Sequence, residues 1–327
     1  DRQPKTACIW FNELRAVGFD RQNGVAANAR LGITLADFAQ LQASGSLKTA
    51  GFGSLNQKVS ERSLRNDWEF DTQGTFALDK FTPNKWGLRL PVFLSYQRKN
   101  STPEFDPFDP DVRVKRSVEK YGNEAEKENF LSLIEDRETR RSINFSNVKK
   151  NKTNKEKKAQ LWDISNFAAT WAYSDIQRSS PYVAQYLQQN WKTSLGYNYT
   201  REVTYIEPFK KSKGKVLQSP WLKAVKDFNF NLLPNNIAVK GDLDRTFTKT
   251  QLRSGDLNSQ TFDPFFEKIY NFNRDYSVQW NLTKNLNLTG NATAQAIVDE
   301  PFGDLNASGS RQIVQDNLLK LGRMKDY

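Results

Sequence analysis

The chain alternates apolar and polar residues with a period of two over stretches far longer than an ordinary strand. From Tyr270 to Leu282 the even positions are Tyr270, Phe272, Arg274, Tyr276, Val278, Trp280 and Leu282, and the odd positions are Asn271, Asn273, Asp275, Ser277, Gln279 and Asn281. Alternate side chains of a strand point to opposite faces, so this segment predicts a strand with one apolar and one polar face. The pattern resumes with Leu286, Leu288, Gly290, Ala292, Ala294 and Ala296 against Asn285, Asn287, Thr289, Asn291, Thr293 and Gln295. Because apolar parity is kept, Leu282 and Leu286 are expected to pair across the odd-numbered turn Thr283-Lys284-Asn285.

An earlier hairpin has the same grammar: Ala27, Ala29, Leu31, Ile33 and Leu35, then Ala36-Asp37-Phe38, then Ala39, Leu41, Ala43, Gly45 and Leu47. Further strands are expected through Trp86, Leu88, Leu90, Val92, Leu94 and Tyr96; through Phe167, Ala169, Trp171 and Tyr173; and through Trp191, Thr193, Leu195, Tyr197 and Tyr199. Shorter ones are expected through Phe228, Phe230 and Leu232 and through Ile237, Val239, Gly241 and Leu243. Soluble sandwich strands average about 5 or 6 residues, so runs of a dozen favour a barrel wall over a β-sandwich or solenoid. The fold class this predicts is all-β: a sector of a very large antiparallel transmembrane β-barrel with long, partly helical loop insertions.

Two helical insertions are expected. Residues 111–140 read as helices around Val112 to Tyr121 and Glu124 to Arg140, with Phe130, Leu131 and Ile134 as a narrow stripe that docks locally. Residues 310–323 form the second, with Ile313, Val314, Leu318, Leu319 and Leu321. The expected division is barrel strands and hairpins over 1–110, a charged and partly helical insertion over 111–160, barrel again over 161–308, and a helical segment over 309–327 leading into further barrel.

Composition sharpens this picture. The hydrophobic share is 37% and mean hydropathy −0.73, yet 13% of residues are aromatic, too many for a disordered chain. No stretch reaches the about 20 consecutive apolar residues of a spanning helix, whereas a barrel strand needs only about 10, of which half face lipid. The chain opens at Asp1 without Met or a signal peptide and is read as a fragment, so the missing signal says nothing about export.

The net charge of +11 is concentrated in runs such as Lys149-Lys150-Asn151-Lys152 with Lys155, Lys157 and Lys158. No aromatics are interleaved there, which favours solvated loops over a nucleic-acid site. Cys8 is the single cysteine, so an intrachain disulfide is excluded, and it is expected to be a small buried residue; histidine is absent altogether. The carboxylates Glu104, Asp106, Asp109 and Asp111 could hold a hard cation. Pro103, Pro107 and Pro110 instead favour a rigid extended loop, so no metal is assigned. No phosphate loop, Cys/His cluster or nucleophile with a base is found, and no catalytic residue or cofactor is expected.

Several segments share an order along the chain: Asn12-Glu13-Leu14-Arg15 with Gly18-Phe19-Asp20; Gly51-Phe52-Gly53-Ser54 with Glu61-Arg62-Ser63; and Thr102-Pro103-Glu104-Phe105-Asp106-Pro107 running to Asp111. They continue with Asn144-Phe145-Ser146-Asn147-Val148-Lys149, Ile206-Glu207-Pro208-Phe209-Lys210-Lys211, Asp227-Phe228-Asn229-Phe230-Asn231 and Asp299-Glu300-Pro301-Phe302-Gly303. Together they resemble the SprA (Sov) family of outer-membrane translocons of the Bacteroidetes type IX secretion system. The resemblance implies a single-chain barrel of very many strands, of which this chain supplies roughly a third. It further implies a wide aqueous lumen passing folded, secreted cargo proteins, a lateral opening closed by a PorV-type partner barrel, and a periplasmic plug protein.

The expected wall residues follow. Trp86, Leu88, Leu90, Trp171, Tyr173, Trp191, Leu195, Tyr197, Tyr276, Val278, Trp280, Leu286 and Leu288 are expected to face outer-membrane lipid. Asn271, Asn273, Ser277, Gln279, Asn281, Asn285, Asn287 and Asn291 are expected to face the lumen. The rival readings are a TonB-dependent or lipopolysaccharide-assembly outer-membrane barrel, and a soluble β-rich lectin or adhesin whose Trp86 to Tyr96 face packs against a second sheet.

Overall fold

A computed structural model describes residues 23–153, 160–209, 227–254, 261–305 and 309–326. Cys8, the segments Asn12 to Arg15 and Gly18 to Asp20, Lys155, Lys157, Lys158, Lys210 and Lys211 lie outside the described residues.

Strand follows strand along the chain, and every pairing in the sheet is antiparallel. The first hairpin joins β1 (Ala26–Leu35) to β2 (Ala39–Lys48), with Leu35 opposite Ala39 and Ala27 opposite Leu47, the register that the alternation predicts. Then come β3 (Arg65–Ala77), the two-residue β4 (Leu88–Arg89), β5 (Pro91–Pro103), a small separate hairpin of β6 (Phe105–Asp106) and β7 (Asp109–Arg113), and β8 (Asp136–Lys150). The C-terminal half supplies β9 (Phe167–Ser179), β10 (Val183–Thr200), β11 (Asn236–Leu252), β12 (Phe265–Asn281), β13 (Asn287–Ile297) and β14 (Arg323–Asp326). The sheet order is β1-β2-β3-β5-β8-β9-β10-β11-β12-β13-β14, with β4 attached to β8, so nearly every strand lies beside its sequence neighbour. A meander of this kind needs only local connections, as at Ser180 and Val183, which exchange backbone bonds around Pro181 in a tight turn.

Among the described residues three α-helices lie outside the sheet: α1 (Val114–Glu119), α2 (Glu124–Ile134) and α3 (Ser310–Leu319). Asn123 caps α2 by accepting the Ala125 backbone N–H at 3.1 Å. The stripe Phe130, Leu131 and Ile134 closes on Val114, Val118 and Tyr121, a small core that belongs to the insertion alone.

Four expectations are corrected. Residues 136–150 of the supposed 111–160 insertion are a full strand of the large sheet, and α2 stops at Ile134 instead of running to Arg140. Trp86, Leu88 and Leu90 do not share a strand with Val92 to Tyr96. Trp86 ends a 3-10 turn, Asn84–Trp86; Gly87 follows with a φ of 60°; and the long strand starts at Pro91, whose missing N–H suits a first position. Phe228 to Leu232 is not a strand; Phe230 makes one isolated bridge to Ile206. Residues 323–326 of the supposed helical 309–327 segment are strand β14 on β13. The β12–β13 parity is as read, Trp280 lying opposite Leu288 and Asn281 opposite Asn287. Pairing ends there, however, and the turn is closed by Thr283 and Leu286.

Among the described residues no second layer covers this sheet. The chain exposes 23902 Å², where a compact monomer of its mass exposes about 14,000 Å². The other sheet among the described residues is the β6–β7 hairpin.

Candidate functional site

Tracing the register from strand to strand sorts side chains onto two faces. One carries Ile33, Leu41, Phe76, Leu94, Ile143, Tyr173, Trp191 and Tyr270, and lower rows continue it through Phe145, Trp171, Leu195, Tyr197, Tyr276, Val278 and Leu288. Aromatic rings meet across strands on this face: Phe145 and Trp171 at 5.9 Å, Tyr173 and Trp191 at 5.5 Å, Phe167 and Tyr197 at 5.1 Å between centroids. The face stays open nonetheless: Leu31, Leu195, Leu288 and Trp171 are all exposed.

The opposite face is polar and satisfies itself laterally. Gln73 donates to Gln42 at 2.9 Å, Ser95 and Ser142 share a bond of 2.7 Å, and Thr246 donates to Asn190 at 3.0 Å. Arg178 meets Glu138 at 2.7 Å. A cavity of about 1030 Å³ opens on this side, bordered by Asn28, Ser46, Glu69, Lys99, Glu138, Arg178, Tyr186 and Thr250 among others. Its lining draws on eight strands from β1 to β11, so the sheet curves around its polar face and bulges on its apolar one.

Of the expected lipid-facing set, Trp171, Tyr173, Trp191, Leu195, Tyr197, Tyr276, Val278, Trp280 and Leu288 share the apolar face. Leu286 lies in the β12–β13 turn, while Trp86, Leu88 and Leu90 precede β5. Of the expected lumen-facing set, Asn271, Asn273, Ser277, Gln279, Asn281, Asn287 and Asn291 share the polar face, and Asn285 lies in the turn. The reading overlooked Trp68, Phe70 and Phe76 of β3, although they alternate with Glu69, Asp71 and Thr75. It also overlooked Ile143 and Phe145 of β8, where only two apolar positions alternate.

Two arginines on the apolar face are held by carboxylates. Arg141 grips Asp175, with Nη2 to Oδ2 at 2.7 Å. Arg245 lies between the rings of Trp191 and Tyr270, 5.1 and 5.7 Å from their centroids, and donates twice to Glu300 at 2.6 and 2.7 Å. The segment from Val298 to Pro301 is thereby held against β11 and β12, with Lys268 donating to the Pro301 carbonyl at 2.8 Å.

In the connections, the Lys80 ammonium hydrogen-bonds Asp37 and holds its carboxyl below the usual range, while Asp37 raises the lysine. Glu207 likewise raises Lys284. Burial lowers the pKa of Arg253, which donates to the Leu133 carbonyl at 3.4 Å and so ties the end of β11 to the helical insertion. The carboxylates at 104–111 do not converge on a cation. Asp106 accepts Ser117 Oγ–H at 2.8 Å and the Phe108 N–H at 3.0 Å, while Glu104 faces Arg113 at 3.7 Å. Among the described residues no group of three or more Asp, Glu, Cys or His is placed to hold a metal ion.

Fold and faces define an all-β protein built on one large antiparallel sheet with an exposed apolar face and a polar face that encloses a cavity. Residues 1–118 match the model of the SprA_N family, described as motility related/secretion protein, so over that region the chain is similar to that family. Among curated proteins the chain has no match.

Proposed function

We propose that this chain is a sector of the wall of a large outer-membrane β-barrel, the protein-conducting channel of a type IX secretion system. It passes folded cargo through a wide polar lumen and catalyses no reaction. The observation that carries the reading is the sense of the curvature: the polar face is concave and the apolar face convex and uncovered. A soluble sheet buries its apolar side, whereas a barrel wall in lipid turns that side outward and keeps polar residues for the water inside. The family match over residues 1–118 supplies the link to secretion.

The polar face suits conduction because its Asn, Thr, Ser and Gln side chains are uncharged groups that can bond to one another, as Gln73 with Gln42 and Ser95 with Ser142, or to lumen water. A passing protein surface meets few unsatisfied groups that could hold it. The sheet is a passive conduit, and the energy for transport comes from elsewhere. By the same resemblance, its partners are a PorV-type barrel at a lateral opening and a plug protein on the periplasmic side.

The test is fractionation of the cell envelope, followed by native mass analysis of the protein that contains this chain. Recovery in the outer membrane as one very large barrel with a second barrel attached supports the reading. Recovery as a soluble protein needing no detergent overturns it.

A further inference from the structure

Strand β8 changes parity within its own length. From Arg137 to Phe145 its odd positions stand on the apolar face. Phe145 lies opposite Trp171, but the next facing pair is Val148 and Ala169, so Ser146 and Asn147 together stand opposite Thr170. The neighbours on the other side record the same extra residue, since Val92 faces Phe145 while Arg89 faces Lys149. This is a β-bulge, and Asn147 occupies it with a φ of 52°, its N–H donating to Thr170 Oγ1 at 3.0 Å. Past the bulge Val148 takes the apolar face beside Ala169, and Lys149 turns to the polar one.

The change of parity gives Lys149 a neighbour of its own sign. Arg89 stands directly opposite it in the β4–β8 register. Like charges at facing positions repel, and a left-handed asparagine adds backbone strain. No carboxylate offsets the repulsion: Arg89 and Lys149 have no ion-pair partner among the described residues, whereas Lys152 is met by Asp163 at 2.8 Å and Lys240 by Asp242 at 2.7 Å.

The floor beside the pair is low. One register row runs Arg89, Lys149, Ala168, Gly196, Lys240 and Asp275. An added Cβ at Gly196 would meet nothing nearer than the Ala168 carbonyl oxygen at 3.8 Å, so packing does not demand the glycine. Glycine weakens a strand, and its presence inside one often marks the close approach of a ligand or another backbone. Two facing cations beside a shallow floor have the sign and shape of a seat for an anion that arrives along the polar face.

The setting fixes the class of anion. No aromatic ring lies in that row, nor among Pro91, Thr170, Ser194 and Asp242 of the row above it, so nothing there stacks on a base. Lipid meets the opposite face. What a polar lumen brings to the pair is the carboxylate of a protein, which a guanidinium takes bidentately while an ammonium adds a point charge.

We propose that Arg89 and Lys149 form a carboxylate seat on the polar face, floored by Ala168 and Gly196, at which an acidic segment of a protein within the lumen docks. The bulge at Asn147 is the device that brings Lys149 to it. The seat rests on the reading of the polar face as lumen-lining.

The test uses the full protein that contains this chain, with a short fluorescein-labelled oligoglutamate peptide as the probe and anisotropy as the readout. In detergent, Arg89→Gln combined with Lys149→Gln is expected to weaken binding about tenfold or more. Gly196→Val should weaken it without lowering the unfolding midpoint. Lys192→Gln, which removes a cation elsewhere on the same face, should leave it unchanged. Absence of binding by the wild type, no loss in the double variant, or equal losses in Lys149→Gln and Lys192→Gln overturns the seat. Displacement of the probe by a single-stranded oligonucleotide more readily than by unlabelled oligoglutamate overturns a protein as the partner. In isolated membranes, with Cys8 replaced by Ser, Ala168→Cys is expected to react with a water-soluble maleimide and to be protected by oligoglutamate. Reaction without protection overturns the seat alone. Reaction with a lipophilic maleimide only overturns the lumen reading, and the seat with it.

Discussion

Arg141 and Asp175 face each other across β8 and β9, and the guanidinium holds both carboxylate oxygens, with Nε 3.1 Å from each and Nη2 2.7 Å from Oδ2. Asp175 is only 2% exposed and lies on the apolar face, where Arg141 is its ion-pair partner among the described residues. Removing the arginine alone strands a buried carboxylate, a change that costs about 3–5 kcal/mol. Arg141→Leu should therefore be strongly destabilising, while Arg141→Leu combined with Asp175→Leu should recover most of the loss. Denaturant unfolding in detergent, followed by tryptophan fluorescence, checks both; equal losses in the two variants would contradict this role.

The helical insertion should unfold by itself. Its core of Val114, Phe130 and Ile134 shares no buried residue with the sheet, and Ile134 is fully buried. Ile134→Ala is expected to cost about 2–5 kcal/mol, confined to this unit. Hydrogen exchange should quicken over residues 114–134 and stay unchanged in β11 and β12.

The pair at the first hairpin gives a pH signature. Asp37 has its pKa lowered and Lys80 its pKa raised by their hydrogen bond. A lowered carboxyl contributes stability that is present above its unfolded value of about 4 and is lost as pH falls through the folded value. A raised amine contributes stability that is present below about 10.4 and is lost as pH rises through the folded value. The hairpin contact should thus persist across neutral pH and loosen at both extremes. Nuclear magnetic resonance titration of the Asp37 carboxyl should show a lowered midpoint that returns to the ordinary range in Lys80→Met. Both groups are fully solvated, so global stability should barely move.

The hairpins β1–β2 and β12–β13 were legible in the sequence because their apolar parity runs unbroken through a short turn, and parity together with the shortness of the turn fixes register. Strand β8 was not legible. Its outward positions include Arg137, Thr139 and Arg141, and what makes a strand of them is the company of Glu135 and Asp175, the latter contributed by a neighbouring strand. The segment from Trp86 to Leu90 alternates like a strand, yet Gly87 turns the chain and Pro91 restarts it. The faces of the candidate wall could be read for β9, β10, β12 and β13. The sense of curvature could not, because it arises from the lateral association of many strands and not from any one of them.

The most direct test of the central claim is thiol labelling along β12. With Cys8 replaced by Ser, single cysteines at Tyr276, Val278, Ser277 and Gln279 are exposed in intact membranes to a lipophilic and to a water-soluble maleimide. Positions 276 and 278 should react with the lipophilic reagent, and positions 277 and 279 with the water-soluble one. Equal reaction of both parities with the water-soluble reagent would contradict a wall whose apolar face meets lipid and whose polar face lines a water-filled lumen.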